Sequence, residues 1–150
     1  MSKQRILLTT ILMLAAAVTW SACDEKLSTL AGPTPNLTPT LATIQSEVFE
    51  KTDSSGRPAC TNCHTAVGRN PAGGMNLTHD VAFDNLVNVP VRGKAGETRA
   101  IPGNPDNSYL IKKLEGTPGI VGQRMPIGGL YLTDGQILII RRWIANGAPR

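Results

Sequence analysis

The chain has 150 residues and a formal charge of +4, room for one domain and little more. Two of its basic residues, Lys3 and Arg5, precede the first acid, Asp24, so the chain after its leader carries about +2; with no basic stripe of interleaved aromatics, nothing in it suits nucleic-acid binding. Aromatics are only 4% while glycines number 15 and prolines 11, which predicts few elements, many loops and a core that would gain from enclosing a large apolar group.

Residues 1–22 read as an export signal: Lys3 and Arg5, then an apolar run from Ile6 to Val18, then the small residues Ser21 and Ala22. The run is shorter than the roughly 20 residues of a spanning helix. Ser21-Ala22-Cys23 resembles the end of a bacterial lipobox, with Trp20 standing where an aliphatic residue is usual. Cys23 is therefore expected to become a lipid-modified first residue. The alternatives are ordinary cleavage and an uncleaved anchor, and all three place the protein on the periplasmic side of a bacterial membrane. Asp24 after Cys23 would favour the inner membrane under a sorting rule of some enteric bacteria. Residues 23–40, with Pro33, Pro35 and Pro39 among threonines, read as an extended tether.

The folded domain is expected over residues 41–150. Leu41, Ile44, Val48 and Phe49 recur at helical spacing, so a first helix is predicted over Leu41–Lys51 with Thr40 as N-cap. Asp53 to Pro58 breaks it. Short helices are predicted in Asp80–Val87 and within Asn104–Glu115, separated by an irregular stretch. Thr117 to Leu132 reads as loop. Thr133-Asp134-Gly135-Gln136 fits a capping box and opens the strongest helix, Thr133–Asn146, with Gly147 placed to end it. Trp143 and Phe49 are predicted core residues. No strand-like alternation and no internal repeat is present.

Cys60-Thr61-Asn62-Cys63-His64 carries the chemistry. It reads C-x-x-C-H, the attachment signature of c-type haem. Two thiols at this spacing can each add to one vinyl group of the same porphyrin, and the adjacent imidazole can then ligate the iron. Competing readings are a Cys60–Cys63 disulfide or redox dithiol, and a zinc site that adds His79 to these three. Export and covalent haem attachment occur on the same side of the inner membrane, so leader and motif agree.

The sixth iron ligand has three side-chain candidates after the leader: Met75, Met125 and His79. Met125 is favoured, because it lies in a Gly- and Pro-rich loop and Pro126 turns it away from helical geometry. Met75 is expected to pack on the haem edge, and His79 to sit at the surface. Pro71 is the expected carbonyl acceptor for the second ring nitrogen of His64. Arg124, Arg141 and Arg142 are candidates for pairing with haem propionates, or else surface charge.

From Leu41 onward the chain resembles single-haem class I cytochrome c domains, in particular their bacterial planctomycete-type branch. The matching stretches are Thr43-Ile44-Gln45, Val48-Phe49, the C-x-x-C-H motif, Gly73 to Leu77, Pro102 to Leu110, Arg124-Met125-Pro126 and Ile139 to Ala148. The resemblance implies an all-α cytochrome c-like fold whose first and last helices cross beside one covalent haem c. It also implies Cys60 and Cys63 as attachment points, and His64 and Met125 as axial ligands. The expected function is single-electron transfer with redox proteins as partners, by a monomer that is not an enzyme. The alternative is a haem-based sensor or interaction module with a labile sixth ligand.

Overall fold

The computed structural model describes residues 37–150. The leader, Cys23 and the tether up to Asn36 lie outside the described residues. Within them, helices alternate with long ordered loops. Backbone pairing between distant segments is confined to isolated bridges, Val87 with Ala100, Pro90 with Thr98 and Thr98 with Ser108. The fold class is all-α.

Helix α1 (Leu41–Ile44) starts where expected. Thr40 is extended, and its hydroxyl accepts the N–H of Thr43 at 3.2 Å, so one orphan donor of the first turn is satisfied. The helix then widens into a π-helical turn over Gln45–Phe49, where the N–H of Glu50 reaches back to the carbonyl of Gln45 at 3.0 Å. The expected α-helix to Lys51 is thus replaced by a shorter, wider segment. Its cause is tertiary: the Gln45 side chain is buried and donates to the Leu77 carbonyl at 2.7 Å. Apolar spacing over two turns does not distinguish these geometries.

Helix α2 (Ala82–Leu86) and helix α3 (Tyr109–Glu115) are the two short helices. Ser108 precedes α3 without capping it, because its hydroxyl bridges the Asn104 carbonyl and the Ile101 N–H, each at 2.8 Å. Gly116 ends α3 in the left-handed conformation.

Helix α4 (Asp134–Ala145) carries the predicted capping box, with Thr133 and Gln136 each satisfying the other's backbone donor. At its far end Gly147 (φ 92°) donates to Ile144 and Ala148 donates to Trp143. These are the two reciprocal bonds of a Schellman stop. The apolar stripe of α4, including Ile140, Trp143 and Ile144, is fully buried and receives α1 on one side and α3 on another. The Trp143 indole N–H finds the Pro149 carbonyl at 2.8 Å, so this large ring is buried without an orphan donor.

Candidate functional site

The C-x-x-C-H motif is a single turn of 3₁₀ helix, Cys60–Asn62, closed by the His64 N–H on the Cys60 carbonyl at 2.9 Å. The π-helical turn over Gln45–Phe49 positions it. Thr61 donates its hydroxyl to the Phe49 carbonyl at 3.3 Å, and the Cys60 thiol points to the Val48 carbonyl at 3.6 Å. Behind it, Arg57 is fully buried and ion-paired with Asp53 at 3.0 Å. This pair holds the turn that delivers the chain to Cys60.

His64 is oriented by a second loop. Its Nδ1 lies 2.9 Å from the carbonyl oxygen of Ala72, while the Ala72 N–H returns a bond to the Cys63 carbonyl at 3.0 Å. The acceptor is therefore Ala72 rather than Pro71. Pro71 uses its carbonyl on Gly74, in a tight turn that Gly73 enters with φ 62°. With Nδ1–H donating to a carbonyl, Nε2 keeps its lone pair for a ligand bond. Burial pushes the imidazole pKa below its ordinary value against the pull of the main-chain bonds, and Arg99 and Lys113 push it further down. The shift favours the neutral ring, the state that ligates a metal.

Beside His64 lie two neighbouring pockets, the lobes of the candidate site, that share His64, Ala72 and Met125 in their linings. The larger, about 260 Å³, is also lined by Met75, Tyr109, Leu110 and Arg99. The smaller, about 190 Å³, is also lined by Cys60, Cys63, Leu114 and Leu132. The walls are largely apolar. Four residues named from the sequence, Cys60, Cys63, His64 and Met125, thus meet at one place although Met125 is 61 positions from His64 in the chain.

Met125 reaches the cavity because its loop is pinned to α3. Its N–H donates to the Lys113 carbonyl at 2.9 Å, Arg124 donates to the Leu114 carbonyl at 2.7 Å, and the Val121 N–H donates to the Tyr109 hydroxyl at 2.7 Å. Met75 also lines the larger lobe, but its main chain lies against the His64 ring. It belongs to the His64 wall. His79 is exposed, paired with Asp80 at 3.3 Å, and contributes to neither lobe.

Cys60 and Cys63 are free thiols, without the disulfide. Burial pushes the Cys60 thiol up, against the opposing influence of Arg57; a redox dithiol needs the reverse. Among the described residues no group of three His, Cys, Asp or Glu side chains is arranged to hold a metal ion, so Cys60, Cys63, His64 and His79 do not form a zinc site. Two thiols, one imidazole and one thioether line the smaller lobe among largely apolar neighbours, a donor set suited to a flat apolar cofactor.

No family model, curated protein or solved structure matches the chain.

Three cavity residues escaped sequence reasoning: Arg92, Arg99 and Lys113. The candidates named for the cationic role are engaged elsewhere. Arg141 pairs with Asp106 and Glu115, and Arg124 lies over the Tyr131 ring at 4.0 Å. Neither they nor Arg142 belong to the cavity lining among the described residues. No local signal marks Arg92, Arg99 and Lys113, because a loop and a helix bring them together.

Proposed function

We propose that this chain is a monohaem c-type cytochrome that carries single electrons on the outer side of a bacterial membrane, anchored by a lipid on Cys23. One observation carries the reading: the two motif thiols, the motif histidine and Met125 line the same cavity. Cys60 and Cys63 would hold the haem through thioether bonds, and His64 and Met125 would supply its iron ligands. Bound there, a haem would supply a reversible one-electron change at iron.

The chain's own residues set the conditions for that change. The Ala72 carbonyl holds the His64 ring in one tautomer and orientation. Leu110, Leu114 and Leu132 give the cavity apolar walls. A thioether opposite an imidazole raises the reduction potential relative to two imidazoles. If His64 and Met125 both held a bound iron, the site would favour electron carriage over oxygen or peroxide chemistry. The cytochrome c-like arrangement belongs to this reading and is supported by the packing of α1 against α4. Val121 and Ile127, both exposed and both lining the cavity, offer an apolar rim for a redox partner.

The test is to express the chain with its leader in a host that matures c-type cytochromes and to record spectra in both oxidation states. A c-type reduced spectrum is expected, with a weak far-red sulfur-to-iron band on oxidation. That band should vanish in Met125→Ala and persist in Met75→Ala. Haem without the band, and binding of a small gas ligand, would replace the carrier by a sensor with a labile sixth ligand. Export without covalent haem would sink the cytochrome reading.

A further inference from the structure

We infer that Arg99, flanked by Arg92 and Lys113, forms a carboxylate-binding end of the cavity and receives the haem propionates. The inference rests on the cytochrome reading and adds a direction to it: which edge of the macrocycle faces which lobe.

The two lobes differ in charge. The lobe with Cys60 and Cys63 has no Arg or Lys in its lining. The other has no thiol, three cations and no acid. A haem has the same polarity, with its vinyl groups toward one edge and its carboxylates toward the opposite one. Thiols that must reach the vinyls and cations that suit the carboxylates are therefore separated as the cofactor requires, with His64 and Met125 shared between them.

Arg99 is the informative member. It is only 8% exposed, and its guanidinium donates to the carbonyls of Asn85 at 2.8 Å and of Gly73 and Gly74 at 3.1 Å each. These bonds satisfy N–H groups but leave the charge uncompensated, and a buried charge without a counterion is costly. Among the described residues no carboxylate pairs with Arg92, Arg99 or Lys113. The nearest acid in sequence, Glu97, is engaged by Lys112 at 2.8 Å and Lys94 at 3.6 Å. Backbone bonds fix Arg99 in place from both sides: its N–H on the Val89 carbonyl at 2.8 Å and its carbonyl on the Leu110 N–H at 2.9 Å. Arg92 extends over Gly74, where an added Cβ would meet its Cδ at 3.3 Å.

The experiment uses the full chain matured with haem and compares wild type, Arg99→Gln and Arg99→Lys. Two readouts are taken: the propionate bending modes in the resonance Raman spectrum, and the midpoint potential. Arg99→Gln should shift a propionate mode and lower the potential, because a positive charge near the iron favours the reduced form. Arg99→Lys should keep most of the potential while still moving the mode. If Arg99 only braces the Gly73–Gly74 turn, both variants lose stability alike and the propionate modes stay where they were, which overturns the inference. Should Arg99→Gln not mature, Arg99→Lys and Arg92→Gln decide: a shifted mode in either supports it, and unmoved modes in both overturn it. A wild-type chain without covalent haem is a different failure, that of the cytochrome reading itself.

Discussion

The amide of Met125 donates to the carbonyl of Lys113 over 2.9 Å, so the loop before α4 is tied to α3 at the proposed ligand itself. Gly116 makes this approach work. It ends α3 with φ 73°, and a Cβ there would lie 2.9 Å from the Cδ of Arg124. Gly116→Ala should cost about 1–2 kcal/mol for the left-handed backbone alone. It should also displace Arg124 and, with it, Met125. The readout is the far-red band of the oxidised protein, expected to weaken; a full-strength band would mean that Met125 is held without Arg124.

In the proposed haem site each motif thiol would have one vinyl to saturate. Cys60→Ser and Cys63→Ser should each retain haem through the remaining thioether, with the reduced absorption maximum moved to longer wavelength by the surviving vinyl. The double variant should release all haem on acid-acetone extraction. Haem that stays covalently bound in the double variant would require another attachment residue.

Asp53 and the buried Arg57 form the ion pair beneath the motif, 3.0 Å apart. Arg57→Ala should destabilise the protein by about 1–3 kcal/mol, since the Asp53 carboxylate and the Val48 and Pro58 carbonyls lose their donor. Burial pushes the Asp53 carboxyl up, yet hydrogen bonds from Ser55 and Arg57 outweigh it and hold its pKa below the ordinary 3.8. The unfolded state therefore binds the proton first. Stability from Asp53 is fully present above pH 3.8 and is lost as pH falls through the lower folded value. Denaturant titrations of wild type and Asp53→Asn across this range check it: only the wild type should show that loss.

Trp143 is fully buried in the last turn of α4. Trp143→Ala should cost about 3–5 kcal/mol, and Thr133→Ala, which removes only the N-cap bond, about 1 kcal/mol. Urea midpoints of the two variants should keep that order. A reversed order would mean that α4 is held by its cap more than by its packing.

Much of this protein lies on its sequence surface. The capping box at Thr133 and Gln136 and the stop at Gly147 are local devices, each complete within a few residues, and the structure has them where the sequence puts them. The π-helical turn over Gln45–Phe49 is different, since it depends on a carbonyl at Leu77. The replacement of Pro71 by Ala72 as the partner of His64 follows from a turn at Gly73 whose direction no neighbouring residue announces.

The sequence alone determined the helical class and the order of the elements, because periodicity and caps act over short distances, and its five-residue motif is the ground for the haem proposed at Cys60, Cys63 and His64. It also singled out Met125 among three candidates. Only the tertiary structure decided that Met125 shares a cavity with the motif, that Met75 lies on the His64 wall, and that Arg99 rather than Arg124 or Arg141 is the buried cation there. These depend on how the packing of α3 against α4 brings distant loops together, and on which charges that packing removes from water.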